Sequence, residues 1–279
     1  MVTVGHLERW PERLRSLPGE HGKQHRGSSD RLPGMSDALL PVCRKIPMAN
    51  YELGIVAVAV DIASDTIARF VESVRQSVPT VSLAEPCIVT EKDVGSPLQN
   101  LAAAKNLGVK KLLDSCQTIV CTDIDILVPP ELIDHTSRTA SRGRVNVAAC
   151  YCRRLCVDDI EPTRWRDWKG LPLRPGWGAW NGMSARTWLS LGGWNECFQG
   201  WGYEDKELHW RCKQKGIEIH DIRQFPLINV KGKQRSWRNQ TATARNKKLY
   251  EDIKDGQHPS VLTRNWLDPA GRQRQPDRP

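Results

Sequence analysis

At 279 residues, with 41 Lys+Arg against 32 Asp+Glu, the chain carries a formal charge of +9 and is long enough to bury a sizeable core. The basic residues are spread through the sequence and form no RNA-reading aromatic pattern, so a nucleotide diphosphate suits the charge and no specific nucleic-acid partner is expected. The longest strand-like apolar run, Leu53–Val60, falls far short of the ~20 residues that span a bilayer, and the N-terminus lacks a signal peptide's apolar region. No transmembrane segment and a cytoplasmic location are expected, with peripheral membrane contact left open. The 9 cysteines follow no disulfide-framework spacing, and Cys150-Tyr-Cys152 with Cys156 matches no common zinc site. Reduced thiols suit that composition. Eleven tryptophans against 3 phenylalanines favour flat faces for carbohydrate over an ordinary aromatic core.

Residues 1–48, rich in Pro, Gly, Arg and Ser, read as a disordered extension, within which Met35 or Met48 could serve as the natural start. Order is expected to begin at Leu53–Val60, a continuous apolar run typical of a strand covered on both faces. Residues 64–77 carry Ile67, Phe70, Val71 and Val74 on one helical face, with Ser64 as N-cap. A second strand is expected over 86–90, a helix over 97–113 and a third strand over Thr118–Val128. This βαβαβ opening implies a mostly parallel, Rossmann-like α/β sheet flanked by helices, occupying residues 49–265 as one domain. Ligands bind such sheets beyond the carboxyl ends of the strands. Residues 266–279 read as a disordered tail.

Asp123-Ile124-Asp125 lies at such a strand end. Residues two apart in a strand point the same way, so both carboxylates are expected to face one point while Ile124 turns into the core. Two like charges brought together near an apolar strand need a cation, and a hard divalent ion such as Mn2+ or Mg2+ would neutralise them.

Further on, Val145–Tyr151 reads as a strand and 153–180 as a long connection carrying Trp165, Trp168, Trp177 and Trp180. That connection is either packing or an acceptor platform. The segment 192–211, GGWNECFQGWGYEDKELHWR, sets Trp201 between Gly200 and Gly202, followed by Glu204, Asp205 and Glu207. Acidic residues suit the first turn of a helix, here expected over 205–215. Capping alone does not explain a tryptophan, flanking glycines and adjacent carboxylates together; a sugar-binding corner with a proton-accepting carboxylate does. Residues 231–248 are strongly basic and are either a solvated surface or a lid.

Taken together, the strand-end Asp-x-Asp and GGWNECFQGWGYEDKEL resemble GT-A glycosyltransferases over about residues 53–232. The second block is similar to the galactosyltransferase region shared by β-1,4-galactosyltransferases, chondroitin-polymerase-type enzymes and polypeptide GalNAc-transferases. The resemblance implies a metal-dependent, inverting transfer of a hexose or N-acetylhexosamine from a UDP-sugar to a hydroxyl of a saccharide, glycolipid or peptide, although the GalNAc-transferases retain configuration. It assigns Asp123 and Asp125 to the metal and diphosphate, and the segment of Asn181 and Gly182 to the donor. Trp201 would meet both donor and acceptor, Glu204 the acceptor, and Asp205 would be the general base. Glu91 falls where such enzymes contact uridine. If the 153–180 connection is a platform, Trp177 and Trp180 face the acceptor, and if the basic stretch is a lid, Lys231, Lys233 and Arg235 close on the diphosphate. The family's metal-binding histidine falls in register on Asn229, while His209 and His220 are out of register. Two other readings stay open: a sugar-nucleotide nucleotidyltransferase, and a non-catalytic carbohydrate-binding protein.

Overall fold

The computed structural model describes residues 49–59, 62, 64–76, 80–90, 93, 100–152, 178–229 and 240–258, with Asn229 among those described by backbone alone. Both expected terminal extensions, 1–48 and 266–279, therefore lie outside the described residues. The chain divides into a unit at Met1–Lys45 and a unit at Ile46–Pro279, and the latter holds every element that follows.

Its strands are β1 (Tyr51–Ala59), β2 (Cys87–Thr90), β3 (Cys116–Asp123), β4 (Ile126–Leu127), β5 (Val145–Cys152), β6 (Trp180–Ser184) and β7 (Ile219–Asn229). The helices are α1 (Ser64–Gln76), α2 (Leu101–Leu112), α3 (Pro130–Ala140), α4 (Ala185–Leu191), α5 (Glu204–Gln214) and α6 (Gln240–Lys254). The strands form one sheet in the order β2-β1-β3-β6-β5-β7-β4. The opening β2-β1-β3 is parallel, as the βαβαβ pattern requires, and β5 pairs in parallel with β7. At the centre, β6 runs antiparallel to both β3 and β5, so the sheet is mixed.

Helices cover both faces, and the alternation of apolar residues along each strand decides which side is which. Leu53, Ile55 and Ala57 of β1 and Val120 of β3 join Phe70, Leu132 and Trp180 in a cluster under α1 and α3. Val56 and Val58 of β1, with Ile119 and Cys121 of β3, face Val109, Trp188, Trp194 and Leu208 under α2, α4 and α5.

The expected strand at Thr118–Val128 is broken. It ends at Asp123, a turn takes Ile124 and Asp125, and the chain re-enters the sheet as β4 against the end of β7. Ile124, 1% exposed, plugs the core at this break. The basic stretch 231–248 also differs from expectation, since residues 240–248 form the first part of α6.

α2 lies unusually close to the sheet. It starts at Asn100, whose side chain caps the Ala103 N–H at 2.9 Å. Further along, a Cβ on Gly108 would sit 2.2 Å from Cγ1 of Val56 and 3.0 Å from Cγ2 of Val89. Ordinarily Gly→Ala inside a helix gains about 1 kcal/mol. Overpacking against two β-branched side chains costs about 1–3 kcal/mol and should win. Gly108→Ala is therefore expected to lower the midpoint of urea unfolding, and an unchanged or raised midpoint would show that α2 is not seated this tightly.

Candidate active site

The end of β3 meets two neighbouring stretches from some seventy positions further along, which makes three pieces of chain in one place. The first is Asp123 itself. Continuing the alternation of Ile119 and Cys121, it projects toward α2 and α5, while its N–H donates to the Ala179 carbonyl at 3.3 Å. Asp125 sits in the following turn rather than in the strand, so the period-two reason for pairing it with Asp123 does not apply; it is 8% exposed. One residue later, Ile126 pairs with Asn229, which brings the Asn229 backbone alongside the acidic turn.

The second stretch is the Gly-Gly-Trp turn, which is a clamped core feature. Arg211 of α5, 1% exposed, donates Nη1 to the Leu191 carbonyl and Nη2 to the Gly193 carbonyl at 2.7 Å. It is itself neutralised by Glu207 at 2.7 and 2.8 Å, so Glu207 is structural. From the other side, Asn106 of α2 accepts the Trp194 N–H at 2.8 Å and donates to the Trp194 carbonyl at 3.0 Å. Asn100 adds a bond to the Glu196 carbonyl at 2.7 Å. Trp194 is fully buried as a result.

The third stretch is 199–205. Gly200 and Gly202 take φ of 76° and 101°, where side chains are strained. Tyr203, the only non-glycine residue with positive φ among those described, caps α5 at φ 73°. Its ring packs on Tyr250 of α6 with centroids 5.8 Å apart, and Lys206 lies 4.4 Å over it. Asn246 of α6 donates to the carbonyls of Gln199 and Gly202, both at 3.0 Å. Trp201 stands at the tip of this loop, 40% exposed.

α5 then begins with Glu204 and Asp205, and both converge on one cation that the sequence motifs do not contain. Lys105 of α2 is 2% exposed. Its Nζ lies 3.3 Å from Asp205 Oδ1, 3.6 Å from Glu204 Oε1 and 4.1 Å from the centroid of a Trp194 ring. Burial alone would depress the ammonium's pKa. The carboxylates of Asp205, Glu204 and Asp123, in that order, outweigh it and hold the pKa above the ordinary lysine value. Glu204 responds in the opposite sense: burial, then the adjacent Asp205, pushes its carboxyl up to about 7, against the pull of Lys105. Gly178 closes the cluster, for a Cβ there would fall 2.0 Å from Asp205 Oδ2.

The remaining sequence candidates divide. Asn181 of β6 pairs with Cys121 on the same sheet face, and its Oδ1 lies 2.6 Å from His209 Nε2. His209 is buried, its pKa driven down to about 4 by that burial, so it orients the Asn181 amide as a neutral ring. Gly182 lies on the other face, where a Cβ would meet Thr136 Cγ2 at 2.4 Å; α3 needs the space. Trp180 does not belong to an acceptor platform. It begins β6, is fully buried, and bonds Thr136 Oγ1 at 3.1 Å on the α3 side. His220 pairs with His135 at 3.2 Å at the start of β7, the end away from Asn229. Glu91, Trp177, Lys231, Lys233 and Arg235 lie outside the described residues.

Lys105 and Gly178 went unread in the sequence. The signal for Lys105 was present, because it occupies the apolar stripe Leu101, Lys105, Gly108, Leu112 of α2, where a lysine is out of place. Gly178 had no signal, since its role depends on what lies opposite.

For a divalent cation the donor chemistry fits: Asp123 and Asp125 supply hard oxygen ligands, and one ammonium does not balance the carboxylates gathered here. Among the described residues no group of three or more His, Cys, Asp or Glu side chains completes such a site. The thiols of Cys87, Cys116, Cys121 and Cys212 are free, and no described helix is long and apolar enough to cross a membrane.

The mixed sheet between helical layers is a GT-A-type α/β fold. Residues 172–229, which include the GGWNECFQGWGYEDKEL block but not the Asp-x-Asp, match the family described as the N-terminal domain of galactosyltransferase. GalNAc-T7 with UDP, GalNAc and Mn2+ shares 17% identity over 72% of this chain and 47% of its own, with a TM-score of 0.54, which establishes a shared fold. The catalytic domain of Drosophila β-1,4-galactosyltransferase 7 with xylobiose shares 16% identity over 61% of this chain and 63% of its own, TM-score 0.45. A mutant of that enzyme with manganese, UDP-Gal and xylobiose shares 14% over 61% and 64%, TM-score 0.44. The chain thus spans less than two thirds of the structures it is similar to. No curated protein matches it by sequence.

The raised Glu204 carboxyl carries a stability consequence. A group whose folded pKa exceeds its unfolded value stabilises the fold below the unfolded pKa and loses that contribution as pH climbs through the folded one. For Glu204 the window runs from 4.5 to about 7. Glu204→Gln, which cannot ionise, should gain on the wild type across that window by roughly 1–3 kcal/mol. Urea denaturation at several pH values measures it; parallel curves for the two proteins would refute the burial of an ionisable Glu204.

Proposed function

We propose that the protein is a UDP-sugar glycosyltransferase that moves a hexose or N-acetylhexosamine to an acceptor hydroxyl with inversion. The observation that carries this reading is that Glu204 and Asp205 close on a single buried ammonium that also lies within the field of Asp123 at the end of β3. A cation-holding strand end and a proton-accepting helix start then flank the same space.

In this reading Asp123 and Asp125 hold Mn2+ or Mg2+, with Asn229 next to them in the fold. When bound, such an ion supplies charge neutralisation for a departing diphosphate. The steps proper to the chain are binding, orientation and proton transfer. Asn181, its amide fixed by His209, lines the donor side. Trp201 offers a flat exposed face to donor and acceptor. Glu204, carrying a proton below about pH 7, can donate a hydrogen bond to an acceptor oxygen. Asp205, 21% exposed at its side chain and held through Oδ1, takes the proton from the attacking hydroxyl as the general base. Attack from the face opposite the diphosphate inverts the anomeric centre. A cytoplasmic location belongs to this proposal too.

The deciding experiment supplies UDP-Gal, UDP-GalNAc, UDP-Glc or UDP-GlcNAc with Mn2+ and reads both thermal shift and released product. One donor should raise the melting temperature selectively by mass action. With acceptor present, UDP and not pyrophosphate should appear; pyrophosphate would move the protein to the nucleotidyltransferases. Sugar affinity indifferent to Mn2+ and UDP would make it a carbohydrate-binding protein.

Asp205→Asn should lose on the order of 10²–10⁴-fold in turnover while the donor-induced thermal shift survives. Retention of the wild-type rate would remove Asp205 from the base role. Gly178→Ala offers a check that leaves every acidic residue in place. Its methyl would press on Asp205 Oδ2, and a displacement of about 1 Å can cost ~10²-fold in turnover. A fully active, folded Gly178→Ala enzyme would mean that Asp205 does not need its present position.

A further inference from the structure

We propose that Lys105 is the positioning residue of the reaction: from α2 it fixes Asp205 through Oδ1, and so presents Oδ2, beside Gly178, to the acceptor hydroxyl. This rests on the glycosyltransferase reading above and adds to it a residue outside both acidic motifs.

The geometry leaves the ammonium little else to do. Lys105 lies 3.3 Å from Asp205 Oδ1 and 3.6 Å from Glu204 Oε1, with the ring of Trp194 behind it at 4.1 Å. Its neighbour Asn106 ties the Trp194 backbone down in both directions, so the aromatic wall cannot swing away. Gly108, one turn further along α2, lets the helix sit directly against Val56 and Val89 of the sheet. The ammonium is therefore delivered to one point by rigid elements, as a positioning group must be.

Stability is a poor reason for such a lysine. Replacing a buried ion cluster by apolar residues is often neutral or stabilising, whereas removing one partner alone is costly. Here the cluster is also unequal. Glu204 is only 3% exposed, and among the described residues its buried Oε2 has no hydrogen-bond partner. A fold optimised for stability would not leave that atom unsatisfied; a site awaiting a hydroxyl-bearing ligand would. Of the two acids, Asp205 is the more accessible, with 21% of its side chain exposed against 3% for Glu204. The lysine thus anchors the accessible carboxylate from its inner side.

The test is a cycle of Lys105→Met, Asp205→Asn and the double variant, with Lys105→Arg as the charge-conserving control. Each is measured for kcat, for KM toward the donor selected above, and for unfolding by urea. Lys105→Met should fold, keep the donor KM within about threefold and lose at least tenfold in kcat. Lys105→Arg should recover part of that loss. Because the lysine acts through Asp205, the double variant should be no slower than Asp205→Asn alone. Losses in kcat that multiply, a full wild-type rate in Lys105→Met, or a change confined to KM would each overturn the proposal. Should Lys105→Met fail to fold, Lys105→Arg decides: a kcat that falls while the donor KM holds supports positioning, and an unchanged kcat opposes it. Failure of the glycosyltransferase reading looks different, since the wild type and Asp205→Asn would then be equally silent with every donor.

Discussion

The Lys105 ammonium, enclosed by helix α2, the Trp194 ring and the start of α5, is the constraint from which the acidic site follows. A positive charge so far from water is tolerated only beside negative partners with good geometry. Asp205 and Glu204 supply the contacts, and Asp123 adds its field from the strand end. The requirement runs the other way too. Burial first, and repulsion from the adjacent Asp205 second, make Glu204 hold its proton toward neutral pH. One cation therefore lets a strand from the first half of the chain and a helix from the second half share a boundary that neither could occupy alone.

Holding that arrangement takes two clamps on the turn between α4 and α5. Arg211 grips its carbonyls from within α5, and Asn100 and Asn106 grip it from α2. Because Asn106 follows Lys105 directly, the helix that carries the ammonium also fixes the turn leading to the carboxylates. Positional error between them is thereby kept small, since both are referred to the same rigid element.

Much of this was legible in the sequence. The apolar run at Leu53–Val60, the stripe of Ile67, Phe70 and Val74, and the acidic strand end all appear within a few residues of where patterning places them. Local rules sufficed there, because strand burial and helix periodicity are local properties. They fell short where the outcome depends on a partner far along the chain. The break after Asp123 comes from pairing of Ile126 with Asn229, about a hundred positions away. Trp180 reads as a loop tryptophan until β6 is seen to insert between β3 and β5, burying it against Thr136. Lys105 is the instructive case: its misfit in an apolar stripe was visible, and only the approach of α5 shows what the misfit is for.

The basic stretch 231–248 reads from sequence as a solvated surface or a lid, yet Asn246 of α6, entirely shielded from solvent, reaches two carbonyls on either side of Trp201. Thr243 and Tyr250 add contacts to the same loop. The aromatic tip thus borrows its stiffness from a helix beginning some forty residues downstream. In evolutionary terms that couples the two segments: a change in the length or packing of α6 retunes where the indole stands without altering a single acidic residue.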